Sequence, residues 1–310
     1  MITRPTVSFV MTFYNHAQYI GENLELIFSQ TWPCDECILV DDASTDGSER
    51  VLQEYQKRYP KLKVIRNEKN LGTCLTANRA FREAKGDWIA PVASDDLRFP
   101  GFIEACMVGV MQHPEIGYCF GDYYTFEDHE PRQYKRVHLL PSTHAQLLMP
   151  DQIVDLSRRT NFRLSSFAAI FRRDLIEKFG FYNVHLQSLT DHYQCYQIAL
   201  RYPVYYIPQA LGAFRLVPQS YSARLRFRYH NRMAILATLT SLIWKKEDHH
   251  FRKAFQRAGC MEQFGGYFLL LFLALRPWYW PRLIILGPKI LYRKFKCWRL
   301  NRKTDQAICS

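Results

Sequence analysis

Two runs of adjacent carboxylates, Asp41-Asp42 and Ser94-Asp95-Asp96, have the residue types and spacing to do chemistry. Neighbouring carboxylates repel unless a cation compensates them. Mg²⁺ and Mn²⁺ take oxygen ligands, keep several waters, and are commonly shared between one or two protein carboxylates and the phosphates of a substrate. A diphosphate needs that same cation, so Ser94-Asp95-Asp96 reads as the place where a divalent metal and a diphosphate meet. The plainer reading of that run is a solvated turn that caps a helix starting near Phe99-Pro100. Asp42 can accept a hydrogen bond from the N3–H of a uracil or thymine ring, or from a ribose hydroxyl. Ser44, Thr45 and Asp46 read as caps of the helix that follows them.

These side chains must be carried by elements that bring them together. Val7 to Phe13 is β-branched and apolar, a buried strand, and Ala17 to Gln30 carries Ile20, Leu24, Ile27 and Phe28 at helical spacing. Strands over 36–40, 62–65 and 87–92 alternate with helices over 46–58 and 72–84. Strands alternating with helices imply an α/β chain with a mostly parallel sheet flanked by helices. In such sheets the ligand binds beyond the carboxyl ends of the strands. Thr12, Tyr14 and Asn15, then Asp41 and Asp42, then Ser94, Asp95 and Asp96 are therefore expected on one rim. No GxGxxG follows the first strand and there is no Walker A motif, which argues against a dinucleotide or P-loop site. Further on, 117–124 and 165–171 read as strands, 190–201 as a helix, and 131–150 as a long loop suited to acceptor contacts.

Val7-Ser8-Phe9-Val10-Met11-Thr12-Phe13-Tyr14-Asn15, Asp41-Asp42-Ala43-Ser44-Thr45-Asp46-Gly47-Ser48, Asn70-Leu71-Gly72 with Asn78, and Lys85-Gly86-Asp87-Trp88 leading to Ser94-Asp95-Asp96 together resemble glycosyltransferase family 2. The similarity is strong over about residues 5–125 and extends weakly to about 222. The resemblance implies a GT-A fold, a nucleoside diphosphate-sugar donor with a UDP-sugar favoured, a divalent cation (Mn²⁺ or Mg²⁺), and inversion at the anomeric carbon. By position, Thr12, Tyr14 and Asp42 would hold the nucleoside, with Asn15 beside them on the rim. Asp95 would contact ribose or metal, and Asp96 would be the main metal ligand. Asn70, Gly72 and Asn78 would shape the donor pocket. The first position of the family's D-x-D motif is Ser94, a departure that leaves the final two carboxylates. Inversion needs a base for the attacking hydroxyl, and Asp191, opening the late helix, stands where the family places one. A helix N-terminal Asp is also a routine cap, worth about 1 kcal/mol. His192 is the alternative base, and because consecutive helical side chains point in different directions, one of the two is expected to face the donor. Arg215 matches the Arg of the family's Arg-x-His, where it would neutralise diphosphate or sit in a structural ion pair. Val217 replaces the His.

The 310 residues carry a formal net charge of +12, which favours an anionic partner without choosing one. The expected organisation is a catalytic domain over 1–223 and a helical region over 224–310. From Arg276 to Lys303 there is no acidic residue, and Arg282, Lys289, Arg293, Lys294, Lys296, Arg299, Arg302 and Lys303 alternate with Trp278, Tyr279, Trp280, Phe295 and Trp298. This pattern suits a membrane interface with anionic lipid, and a hairpin packed on protein is the other reading. The apolar runs 267–275 and 283–286 fall short of the roughly 20 residues a span needs. The N-terminus has no secretory pattern, and 9 cysteines lack framework spacing, so a cytoplasmic enzyme on the inner face of the membrane is expected. Cys34 and Cys37 read as ordinary reduced thiols. The acceptor would be a bacterial surface-glycan or lipid-linked oligosaccharide precursor. A nucleotidyltransferase would use the same sheet and carboxylates but release pyrophosphate. A nucleic-acid-binding protein would leave the acidic rim unexplained, so no nucleic acid is expected, and a sugar-binding scaffold without catalysis is the non-enzyme alternative.

Overall fold

The computed structural model describes residues 4–128, 131–160, 162–217, 229–243 and 248–265. Strand β1 (Val7–Phe13) is buried along nearly its whole length, as a central strand covered on both faces must be. It pairs in parallel with β2 (Glu36–Asp41) and β4 (Trp88–Ala93), and β2 pairs in parallel with β3 (Leu62–Arg66). The helices between them are α1 (Ala17–Phe28), α2 (Ser48–Arg58) and α3 (Thr73–Glu83). Val7, Phe9, Met11 and Phe13, at alternate positions and so on one face of the sheet, form one core with Ile20, Leu24 and Ile27 of α1, Leu52 of α2, and Phe102, Cys106 and Met107 of α4 (Phe102–Gln112).

The parallel part of the expected mostly parallel sheet is this β1–β4 half; beyond β4 the sheet becomes mixed. β9 (Ala169–Arg172) runs antiparallel to both β4 and β6 (Tyr118–Phe126), so β4 and β6 point the same way. β10 (Val204–Arg215) is parallel to β6 and carries the two-residue β5 (Leu97–Arg98) antiparallel on its outer edge. The order is β3-β2-β1-β4-β9-β6-β10-β5. Segment 131–150 is not all loop: β7 (Lys135–Val137) adds to β6 and β8 (Gln146–Leu148) to β10, both antiparallel. The sequence hides β10 because Pro208 and Gly212 break its apolar run. Two register shifts between Ile207 and Ala213 absorb the irregularity. At Gly212 a Cβ would come within 2.4 Å of the Leu97 carbonyl, so glycine permits the β5–β10 contact.

One resembling motif proves structural. Lys85-Gly86-Asp87-Trp88 lies at the amino ends of β1 and β4, opposite the rim. The Gly86 amide donates to Ser8 Oγ at 2.7 Å, and the Asp87 carboxylate accepts from the Thr6 amide and hydroxyl at 2.9 and 2.8 Å. A Cβ on Gly86 would meet the Ser8 amide nitrogen at 2.7 Å, closer than any side chain tolerates. The described cysteines are free and buried, and burial pushes the Cys34 thiol up to about 12, consistent with inert packing.

The chain divides into two compact units, 1–153 with 164–224, and 154–163 with 225–310. Helix α5 (Pro150–Arg159) begins in the first and continues into the second. The second unit contains helices Tyr229–Ile243, His249–Arg257 and Cys260–Gly265. Asp248 caps the middle one, accepting from the Phe251 amide at 2.8 Å, and Phe255 packs between Phe251 and Phe264. No described helix is long and apolar enough to cross a membrane. The basic aromatic stretch Arg276–Lys303 and the apolar runs 267–275 and 283–286 lie outside the described residues.

Candidate active site

Register fixes the rim. Thr12 is beside Val40 on one side and Ala93 on the other, and Asp41 is beside Arg66. The segments that follow, 14–16, 42–47, 67–72 and 94–96, therefore emerge together. β6 and β10 end on the same rim, with Phe126 beside Arg215.

At the nucleoside end, Asn15 adopts a left-handed conformation (φ 51°), which Asn tolerates better than most residues. Its amide donates to Ser44 Oγ at 3.0 Å and its side-chain oxygen accepts from the Thr45 amide at 2.8 Å. The hydroxyls of Ser44 and Thr45 do not cap α2. Gly47 takes the cap position and Asp46 accepts from the Ser48 amide at 3.2 Å, while Ser44 bonds to Asp41, whose other oxygen meets Arg66 at 2.7 Å. Asp42 is buried and already occupied. One oxygen accepts from Asn67 Nδ2 and the Leu71 amide, each at 2.8 Å, and the other from the Gly72 amide at 2.9 Å. It thus shapes the turn leading into α3, where Gly72 takes φ +85° and Asn70 accepts from the same amide at 3.1 Å. Tyr14, Leu71 and Leu75 stand exposed around this region. Thr12 is half-buried at the strand end. Asn78 does not join them: its amide group bonds the Tyr182 backbone twice, both at 2.8 Å. Its observed role is to fasten the 182 loop to α3.

At the carboxylate pair, Asp96 is buried and Asp95 half-buried. Asn23 of α1 donates to the carbonyls of Ala93 and Asp96 at 2.9 and 2.5 Å, and His16 Nδ1 meets Ser94 Oγ at 2.8 Å. The Arg215 amide donates to Asp96 Oδ1 at 3.0 Å and Arg215 Nε to the Asp95 carbonyl at 2.8 Å. Its remaining nitrogens bind Asp128 and, at 3.1 Å, Glu22, and its guanidinium stacks on Tyr19 and Phe126 at 4.4 and 4.7 Å. Arg215 is therefore a buried brace for the 95–96 backbone, the ion-pair alternative of the sequence reading. Burial, and then Asp95 beside it, push the Asp96 carboxyl up to about 7, the signature of a carboxylate that wants a cation.

Asp191 lies in the first turn of the late helix Thr190–Ala199, whose cap position is taken by Leu189. It accepts from Ser166 Oγ at 2.5 Å and from His192 Nδ1 at 3.2 Å. Burial works to raise this carboxyl, but the neighbouring His192 and the two hydrogen bonds outweigh it and hold it below the usual carboxylate range. Asp191 and His192 thus act on each other rather than facing apart. Ser166 continues into Phe167, which packs edge-on against Tyr123 at 4.8 Å, and the charge of Asp96 acts on Tyr123. A single short segment therefore links the Asp191 and Asp96 neighbourhoods. His16, Asn23, Ser166 and Tyr123 were missed in the sequence, because an isolated His, Asn, Ser or Tyr carries no spacing signal.

Among the described residues no cluster of three or more His, Cys, Asp or Glu side chains forms a ready metal cage. The hard oxygens of Asp95 and Asp96, one buried and destabilised in its charged form, fit a Mg²⁺- or Mn²⁺-type ion that takes its other ligands from phosphate and water.

A mixed α/β sheet with a rim of carboxylates beyond its parallel strands puts the candidate ligand site at the carboxyl ends of those strands. Residues 8–180 match the family described as Glycosyl transferase family 2, more than half of the chain, and the chain belongs to that family. EpsE of Bacillus subtilis (strain 168) is 37% identical over 114 residues, 36% of this chain and 41% of that protein. Glycosyltransferase GlyG of Streptococcus pneumoniae serotype 4 is 31% identical over 128 residues, 41% of this chain and 42% of that protein. The chain thus spans about two-fifths of the length of these relatives. Two solved structures share the fold at 19% identity and TM-score 0.59. One is S. aureus TarS 1-349 in complex with UDP, covering 87% of this chain and 72% of that one. The other is the mannosyltransferase PcManGT from Pyrobaculum calidifontis in complex with GDP-Man and Mn²⁺, covering 96% and 84%. The architecture is GT-A.

Proposed function

We propose that this chain transfers a sugar, with inversion, from a nucleoside diphosphate-sugar to a hydroxyl acceptor. The observation that carries the reading is the path of contacts from Asp191 through Ser166-Phe167 to Tyr123, on which the charge of Asp96 acts. Tyr14 and the Leu71–Gly72 turn, held by Asp42, would receive the nucleoside, with Thr12, Asn15 and Asn70 around them. Asp96 and Asp95 would hold a divalent cation, which when bound supplies charge compensation for the diphosphate as it leaves. Asp191, kept ionised at neutral pH, would accept the proton of the attacking acceptor hydroxyl. Ser166 and His192 would orient that carboxylate. Arg215, Glu22 and Asn23 would keep the 95–96 backbone in place.

A UDP-sugar is the favoured donor, in keeping with the TarS complexes, which hold UDP or UDP-GlcNAc. The GDP-Man complex of PcManGT keeps GDP-sugars in the test. The basic aromatic stretch 276–303 supports peripheral attachment to an anionic membrane and an acceptor that is a lipid-linked or surface-glycan precursor. Thermal stabilisation by UDP-, GDP- and dTDP-sugars with Mn²⁺ identifies the donor, since a ligand of the folded state raises stability by RT ln(1 + [L]/Kd). Product analysis then decides the reaction: release of nucleoside diphosphate supports transfer, and release of pyrophosphate overturns it in favour of nucleotidyl transfer.

A further inference from the structure

Gln187 stands shortly before Asp191 in a conformation that glutamine resists. It breaks the helical segment Val184–Leu189 with φ 51° and ψ −126°, a backbone normally left to glycine. A side chain held there against strain calls for a use, and such positions gather at ligand clamps. The side-chain Oε1 of Gln187 is buried and has no hydrogen-bond partner among the described residues, a state that is costly unless something relieves it. The same holds for Thr190 Oγ1 and for both amide atoms of Gln194, which lie one turn apart on the helix Thr190–Ala199 that carries Asp191.

The position of Gln187 narrows what could relieve it. Its carbonyl lies 3.6 Å from the Cys74 thiol, and Cys74 is in the first turn of α3, just past the Leu71–Gly72 turn that Asp42 holds. Gln187 therefore touches the element behind the nucleoside turn and leads into the helix of the proposed base. A nucleoside diphosphate-sugar spans those two ends with its diphosphate and its sugar. An amide oxygen accepts and never donates; ionised phosphate oxygens have no proton to give, whereas sugar hydroxyls do.

We propose that Gln187 is a specificity residue whose Oε1 accepts a hydrogen bond from a hydroxyl of the sugar being transferred, the strained backbone holding the amide in place for it. The inference rests on the reading that the rim takes a nucleoside diphosphate-sugar. Strain gives the two possible roles opposite signs. A glutamine needed for the fold loses stability when cut back to glycine, whereas one held for the ligand does not.

The test compares Gln187→Gly and Gln187→Leu with the wild type, in melting temperature without ligand and in calorimetric affinity, with Mn²⁺, for UDP, GDP, UDP-glucose, UDP-galactose, UDP-GlcNAc and GDP-mannose. Gln187→Gly exchanges strain for a more flexible unfolded chain and should melt at or above the wild-type temperature. Gln187→Leu keeps the bulk and the strain but loses the acceptor, and serves if the glycine variant does not fold. Both should bind the free nucleoside diphosphate as the wild type does, and bind the sugar nucleotide that the wild type prefers about three- to tenfold more weakly. No acceptor is present, so that loss belongs to the donor's sugar. Wild-type affinity for the sugar nucleotide in both variants overturns the role of Gln187 and leaves the donor site standing. Lower melting temperatures in both, with nucleoside diphosphate and sugar nucleotide weakened alike, make Gln187 a residue of the loop's fold and overturn it as well. If the wild type binds none of these nucleotides, the nucleotide-sugar reading falls and the proposal with it.

Discussion

Ser166 and His192 hold the Asp191 carboxylate, and the proton-transfer role proposed for it is separable from a structural one. Asp191→Asn keeps the size and the contact with Ser166 but loses basicity. The expected result is a fall in kcat of roughly 10² to 10⁴-fold, with donor affinity and melting temperature little changed; nearly normal turnover with a lowered melting temperature would make Asp191 a structural residue. Asn78 should behave in the opposite way. Asn78→Ala removes both hydrogen bonds to Tyr182, so stability should drop by about 1–3 kcal/mol in denaturant titration while nucleotide affinity holds. A selective loss of nucleotide binding would return Asn78 to the donor pocket. Asn78 also shows what spacing conceals: its place in a motif was visible, but the backbone it meets lies 104 residues away. Asp42 and Asp96 were legible because paired carboxylates at strand ends need an explanation. Ser166 was not, because its meaning depends on Asp191, 25 residues further along the chain.

Between strands and helices, short polar side chains do the joining. Asp122 of β6 is fully buried and gathers the start of the 136–140 segment. It accepts from the Leu139 amide at 2.9 Å, the Tyr206 hydroxyl at 2.8 Å and His138 Nδ1 at 2.9 Å, with Arg136 at 3.3 Å. Asp122→Asn turns one acceptor into a donor facing donors, and should cost about 2–3 kcal/mol and speed amide exchange over 135–140; unchanged exchange would show that β7 holds this segment alone. Asp46 joins two helix starts, accepting from the Ala17 amide at 2.8 Å as well as from Ser48. Burial opposes its ionisation, but these hydrogen bonds prevail and lower its carboxyl below the ordinary value. Its contribution is therefore present above the unfolded aspartate value near about 4 and is lost as pH falls through the lower folded value. The melting-temperature gap between wild type and Asp46→Ala should be open at pH 6 and close in acid, and a gap constant with pH would deny the linkage. The β1–β4 half was readable because short apolar runs alternate there with helices that carry an apolar stripe. β5, β7 and β8 were not, since two or three residues have no period, and β10 was masked by Pro208.

Across the whole molecule, charge divides unevenly: the rim gathers carboxylates, while the chain carries +12 and the stretch from Arg276 to Lys303 has no acid. That asymmetry is legible only in sequence, and it leads to the membrane prediction. Each Lys or Arg near an anionic bilayer surface is worth about 1 kcal/mol, whereas aromatic side chains at headgroup depth add attraction that salt does not screen. Replacing Lys294, Lys296, Arg299 and Arg302 with Gln removes four such charges, so liposomes containing phosphatidylglycerol should bind the variant at least about tenfold more weakly. The loss should shrink as salt rises, because exposed charges are screened over about 8–10 Å near physiological ionic strength. Turnover of a soluble acceptor analogue is expected to be unaffected. Flotation of wild type and variant with phosphatidylcholine alone separates the two forces: binding there reports the aromatic side chains, and the increment with phosphatidylglycerol reports the cations. Equal flotation of both proteins on anionic liposomes would assign the stretch to packing against protein instead.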